Sequence, residues 1–169
     1  SGAVISIDTS KPVVMRAAVA AGATFINDIR GLRDPEALAA ACGLPAAISI
    51  MHMQGEPATM QRHPSYRDVV SEVRDFLSNR AQACLAAGAA AERIVLDPGF
   101  GFGKDIYHNL QLLRDLPQIV ALGFPVLVGL SRKSMLGQLT GRAVDERLAG
   151  SVALATVSVL RGARIVRAH

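Results

Sequence analysis

Short apolar runs recur along the chain, and almost every one ends on a polar residue. The runs are Val4 to Ile7, Thr24 to Ile26, Ala46 to Ile50, Arg93 to Leu96, Pro125 to Leu130 and Arg164 to Val166. Each is rich in Ile and Val and too short for a buried helix, so each is expected to be a buried parallel strand. At their ends stand Asp8, Asn27 with Asp28, His52 with Met53, Asp97, Ser131 to Lys133, and Arg167 to His169. An open doubly wound sheet gathers its chemistry at one switch point. Polar residues delivered by successive strands fit a ring of strand ends around one mouth, the (β/α)8 TIM barrel arrangement.

Helical patterns fill the intervals. Ser10-Lys11-Pro12 opens one that stops at Gly22, and Asp34-Pro35 opens a second that ends near Gly43. The clearest amphipathic repeat runs from Tyr66 to Leu85 before Gly88. Another spans Asn109 to Leu122, with a kink expected at Pro117. Leu148, Val152, Ala155 and Val159 form the stripe of a last helix, from about Asp145 to Gly162. About six βα units are present where a closed barrel has eight, so the expected fold is an α/β barrel incomplete in this chain. Residues 1–169 read as a single domain.

Composition narrows the function classes. No apolar run approaches the roughly 20 residues of a membrane helix, and no basic stretch leads into an apolar signal segment, so the expected location is cytoplasmic with no membrane partner. The net charge of +4 comes from scattered Lys and Arg, with no Trp, so nucleic acid is not an expected partner. The charge fits a small anionic substrate better. Cys42 and Cys84 lie in helical patterns without ligand spacing and read as reduced core residues.

The most distinctive stretch is Asp97-Pro98-Gly99-Phe100-Gly101-Phe102-Gly103-Lys104. A phosphate loop would need Gly at position 98 and Ser or Thr at 105, and GxGxxG would need Gly at 104, so both patterns fail. What remains is an acid at a strand end and a glycine-bent loop able to bring Phe102 close to a ligand; a Gly-rich turn with a capping aspartate is the plainer alternative. Lys104, beyond the bend, reads as a solvated lysine. Asp8 and Asn27 would point into the same mouth as Asp97, and two acids with an amide suit the donor edge of a guanine-like or pterin-like ring. Taken singly, Asp8 and Asp28 also read as helix caps. Lys133, after a run containing Gly129, reads either as a Schiff-base nucleophile or as a donor to a ring carbonyl. Arg167 and His169 suit a phosphate or pyrophosphate. Met53 would pack against a ring, and His52 reads as a structural histidine; Met51-His52-Met53-Gln54 has no partners for a metal site.

With these residues assembled, the chain resembles the dihydropteroate synthases over essentially its whole length. The motifs that carry the resemblance are Ile7-Asp8-Thr9-Ser10-Lys11-Pro12, Ile26-Asn27-Asp28-Ile29, Met51-His52-Met53-Gln54-Gly55, Asp97 through Lys104, and Gly129 through Ser134. The resemblance implies an enzyme that joins 6-hydroxymethyl-7,8-dihydropterin pyrophosphate to p-aminobenzoate, releasing pyrophosphate, with sulfonamides mimicking the second substrate. It implies that Asp8, Asn27, Asp97 and Lys133 hold the pterin edge while Met53, Phe102 and Gly129 shape its slot. Arg167 is implied to lie over the pterin and, with His169, to hold the pyrophosphate; Lys133, Ser134, Phe102 and Arg132 border p-aminobenzoate. Lys133, Arg167 and Asp97 would carry the catalysis. Relative to that family the chain lacks two leading βα units and a closing helix, so it is expected to be part of a longer barrel, truncated at both ends. The family's magnesium-associated asparagine belongs to those leading units, leaving magnesium an expected cofactor with no protein ligand in this chain. The complete enzyme is expected to be a homodimer. Two other readings compete: a pterin-binding methyltransferase barrel, against which Ser131-Arg132-Lys133 argues, and a pterin-binding fragment without catalysis.

Overall fold

The computed structural model describes residues 2–169. Its strands are β1 (Ser6–Asp8), β2 (Phe25–Asp28), β3 (Ala47–Met51), β4 (Ile94–Asp97), β5 (Leu127–Val128) and β6 (Ile165–Val166). The first four pair in parallel in chain order, β5 pairs in parallel with β6, and a parallel bridge between Leu96 and Val126 joins the two groups. Strand order therefore follows sequence order, as in a barrel; an open doubly wound sheet reverses direction partway. The sheet also curls. Val4, Ser6, Asp8, Phe25 and Asn27 face Leu127, Ile165 and Arg167 across a cavity of about 510 Å³, so its first and last strands look at each other.

Among the described residues, seven α-helices pack around the strands: α1 (Pro12–Ala20), α2 (Pro35–Gly43), α3 (Val69–Ala86), α4 (Ile106–Arg114), α5 (Pro117–Val120), α6 (Ser134–Thr140) and α7 (Leu148–Leu160). Their starts follow from local chemistry. Pro12 opens α1, and the carboxylates of Asp34, Asp68 and Asp105 accept from the free backbone N–H groups of α2, α3 and α4. Ile26, Ile48, Ile50 and Leu96 from the strands meet Met15, Leu77 and Leu112 from the helices in one core. Each such fully buried side chain contributes ~1.5–3 kcal/mol. Cys42 and Cys84 are buried free thiols within it, and burial pushes the Cys84 thiol up to about 12, which keeps it protonated. No helix among the described residues is long and apolar enough to cross a membrane.

Three helical expectations are corrected, and one helix is unexpected. Tyr66 lies before α3 rather than in it, and its hydroxyl donates to the carbonyl of Gly103 at 2.8 Å. Pro117 divides the expected helix in two instead of kinking it, because α4 ends at Arg114 and Pro117 starts α5. The sequence reading had no counterpart of α6, which ends on Gly141 in the left-handed conformation. In α7 the stripe of Leu148, Val152 and Val159 faces outward, and the buried positions are Ser151 and Ser158. Their hydroxyls turn back onto the helix, to the carbonyls of Arg147 and Leu154, which makes them tolerable inside.

Candidate active site

Parallel register places Asp8 opposite Asn27 at the ends of β1 and β2, so their side chains leave the sheet on the same face. The amide of Asn27 donates to the Asp8 carboxylate at 3.1 Å. Arg167, one residue past β6, reaches back across the mouth. Its guanidinium donates to the Asn27 amide oxygen at 3.5 Å and to the Asp97 carboxylate at 3.0 Å. Asp97 ends β4 and also accepts from the backbone N–H of Gly99 at 2.8 Å. Asp97 is fully buried, Asn27 nearly so, and Asp8 is exposed at the open edge. Four strand ends are thus linked by one polar chain, Asp8 to Asn27 to Arg167 to Asp97.

Gly129 makes room for it. A Cβ at this position would stand 2.8 Å from the Arg167 guanidinium, so the planar group lies almost on the backbone. Arg167, Ala168 and His169 then border, with Gly129, Ser131 and Lys133, a cavity of about 270 Å³. Guanidinium, lysine amine and imidazole on one small cavity are the donors an anion needs.

Lys133 leaves a strained turn. Arg132 has φ of +57°, a left-handed conformation that costs a side-chain-bearing residue ~1–2 kcal/mol. The strain is held by Ser151, whose hydroxyl accepts from the Arg132 N–H at 3.0 Å, and by Arg147, which donates to the Arg132 carbonyl at 3.0 Å. The turn aims the Lys133 amine at the Phe100 carbonyl, with the amine 4.8 Å from the centre of the Phe102 ring. Burial lowers the Lys133 amine to about 8; nearby Asp97 opposes that shift and Arg167 adds to it.

The other expected site residues stand further out. Met53 is buried just past β3, with its carbonyl accepting from Arg33 at 2.5 Å. Ser134 opens α6 and lines a separate cavity of about 600 Å³ with Gln61, His63, Lys104 and Tyr107. The Arg132 side chain is exposed. Asp28, read as a helix cap, instead braces the loop after β2 by accepting from Ser10 and from the N–H groups of Arg30 and Leu32.

The pterin binding enzyme family matches residues 1–169. The chain belongs to that family. It is 50% identical over 165 residues to dihydropteroate synthase of Haemophilus influenzae, covering 98% of this chain and 60% of that protein. Among solved structures, dihydropteroate synthase from Xanthomonas albilineans in complex with 7,8-dihydropteroate superposes with a TM-score of 0.92 at 49% identity, covering all of this chain and 64% of that one. The Yersinia pestis dihydropteroate synthase with a sulfonamide drug superposes with a TM-score of 0.96 at 44% identity, over 100% of this chain and 62% of that one. The chain therefore spans about 60% of the length of the curated relatives it matches.

Sequence reasoning missed several residues that support the mouth. Foremost is Lys104. Expected in solvent, it is 2% exposed, and its amine bonds His52 Nδ1 at 2.9 Å and the carbonyls of Gly99 and Phe102 at 3.0 and 3.1 Å. Asn109 is buried beside it, accepting from the Gly101 N–H at 2.8 Å and donating to the Asp105 carbonyl at 2.6 Å. The one available signal was placement: a lysine directly after a glycine-bent loop can turn back beneath it. His52, expected to be structural, is buried against Lys104 and pushed down to about 2, first by burial and then by the charges of Lys104 and Arg33.

Proposed function

We propose that this chain supplies the pterin, pyrophosphate and p-aminobenzoate contacts of a dihydropteroate synthase, joining 6-hydroxymethyl-7,8-dihydropterin pyrophosphate to p-aminobenzoate with release of pyrophosphate. The observation that carries the reading is the grip of Asp97 and Asn27 on the Arg167 guanidinium over Gly129. A guanidinium and the amino-pyrimidinone edge of a pterin present the same coplanar N–H donors, so acceptors and slot that suit one suit the other. On this reading the pterin replaces Arg167 at Asp97 and Asn27 and reaches Asp8 beside them. Lys133 donates to the ring carbonyl, and Met53, Phe102 and Gly129 bound the slot. Arg167 turns towards the leaving group beside His169, where its fork is best used.

The reaction forms a bond from the aniline nitrogen to the pterin methylene carbon and breaks that carbon's bond to the pyrophosphate oxygen. Electrons leave with pyrophosphate, and the aniline nitrogen gives a proton to solvent. The developing positive charge on the pterin is met by the Asp97 carboxylate, and the departing negative charge by Arg167 and His169. The neutral aniline nucleophile needs no strong base near pH 7. Phe102, Lys133, Ser134 and Arg132 border the p-aminobenzoate side.

Magnesium, which the family resemblance implies, finds no matching donor set. Among the described residues no three His, Cys, Asp or Glu side chains gather where they could hold a metal, and Asp8 and Asp97 are engaged by Asn27 and Arg167. Sulfonamide binding on the p-aminobenzoate side, a homodimer and a cytoplasmic location complete the proposal; the Yersinia pestis drug complex supports the first and the outward apolar residues of α7 the second. Mixing both substrates with the chain extended by its native flanks, and following pyrophosphate, tests the reading. Release that requires p-aminobenzoate is expected, whereas pterin binding without release would leave a binding module, and release with methyl transfer to another acceptor would indicate different chemistry.

A further inference from the structure

The loop from Gly99 to Gly103 lies between two amines. On one side Lys133 reaches the Phe100 carbonyl and covers the Phe102 ring. On the other, the Lys104 amine is tied to the carbonyls of Gly99 and Phe102 and to His52. The loop has no slack against the segment following β3: Gly99 has φ of +66°, and a Cβ there would fall 1.9 Å from the His52 carbonyl oxygen. We propose that Lys104 is a positioning residue, holding the 99–103 loop from beneath so that the Phe102 ring and the Phe100 carbonyl fix the Lys133 amine at the p-aminobenzoate side of the mouth. What Lys133 does there rests on the proposed function; its placement by Lys104 does not.

The chemistry of the group supports this. Lys104 meets two carbonyls of the one loop and the neutral His52 Nδ1: as an ammonium it donates to all three, and as a neutral amine it keeps two hydrogens for the carbonyls and can accept from an Nδ1–H. No carboxylate pairs with it among the described residues, and burial brings its amine down to about 7, with Asp97 opposing that shift and Lys133 adding to it. Beside it stand His52, neutral on the segment after β3, and Tyr66, whose hydroxyl is pushed up by burial and bonds the same loop at Gly103. A buried amine of this kind costs stability relative to a hydrocarbon of its size, so core packing does not account for it. Its bonds go instead to the loop that carries Lys133.

Acylation of Lys133 reads this placement without requiring turnover. Wild-type protein and the variants Lys104→Met, His52→Leu and His52→Asn are trace-labelled with acetic anhydride at pH 8, and Lys133 is followed by mass spectrometry. Methionine keeps the volume and removes the donors; leucine removes the acceptor from Lys104, and asparagine restores one near Nδ1. The inference expects Lys133 to react about threefold faster in Lys104→Met and His52→Leu, and at the wild-type rate in His52→Asn. It also expects the KM for p-aminobenzoate to rise about tenfold in Lys104→Met while that for the pterin pyrophosphate holds. Unchanged Lys133 reactivity in a Lys104→Met protein that still melts cooperatively overturns the inference and leaves the proposed function intact. Altered reactivity in a protein whose wild type never releases pyrophosphate upholds the positioning role and overturns the function.

Discussion

Replacing Asp97 by asparagine separates what this carboxylate does for folding from what it does for a ligand. In the folded chain Asp97 is fully buried and accepts from the Gly99 N–H at 2.8 Å and from Arg167 at 3.0 Å. Asparagine keeps an oxygen for Gly99 but turns an amide donor towards the guanidinium, so the ion pair is lost. The Arg167 side chain is 41% exposed and stays partly solvated, which limits that loss to the ~0–1 kcal/mol of a screened pair. Removing a buried anion returns part even of this. A bound pterin would be dry where Arg167 is wet, and losing one partner of a desolvated charged pair costs ~2–5 kcal/mol. The expected result is a melting temperature within ~4 °C of wild type and an affinity for the pterin pyrophosphate reduced by about thirtyfold or more. Calorimetric melting and calorimetric titration of the same preparations measure both. A variant that binds within about threefold of wild type would refute the assignment of Asp97 to the ring edge.

Three further outcomes follow from the same geometry. Arg167→Lys should weaken a pyrophosphate-bearing pterin by about tenfold or more while leaving bare 6-hydroxymethylpterin unchanged or tighter, since lysine lacks the fork that grips pyrophosphate and competes for Asp97; parallel titrations with the two ligands check it. Gly129→Ala should fold within ~1 kcal/mol of wild type, because the nearest atoms the added methyl meets belong to the movable Arg167 guanidinium, yet should bind pterin more weakly as the slot narrows, which denaturant melts and titrations together would show. Stability should rise between pH 7 and 9: the folded Lys104 amine sits at about 7, below the ~10.4 of an unfolded lysine, so the unfolded chain binds more protons across this window, and Lys133, at about 8, adds to the slope in its upper half. Lys104→Met should remove the larger part of that slope, up to ~1.4 kcal/mol per pH unit, in denaturant titrations at several pH values.

The inner strands were legible because a buried parallel strand has little choice but Ile, Val and Leu; all six expected runs contain strand residues, but β1 and β6, expected to be buried, are partly exposed at the open edges. Asp34 signalled its helix through capping chemistry that is local in sequence, whereas Asp68, the cap of α3, was overlooked and that helix was read from Tyr66. The helix Ser134–Thr140 gave no such signal: Lys133 makes no side-chain cap, and Gly137 sits inside it, where a Cβ would collide with the Arg147 guanidinium. Long-range packing forms that helix, not propensity. The outward stripe of α7 was misread for a related reason, since periodicity reports that an apolar face exists and cannot say what covers it. At the mouth, Asp8, Asn27, Asp97 and Arg167 could be singled out because each ends or follows a strand. Lys104 could not, because its burial depends on a loop that folds back over it and on a histidine from another strand end.

A crystal structure of the protein with the pterin pyrophosphate decides whether this mouth holds a pterin in the place now taken by the Arg167 guanidinium. The expected structure has the ring lying on Gly129 with its amino-pyrimidinone edge on Asp97 and Asn27, Lys133 at the ring carbonyl, and Arg167 turned from Asp97 towards the pyrophosphate beside His169. A ring bound elsewhere, or a bound ring with Arg167 still paired to Asp97, would contradict it.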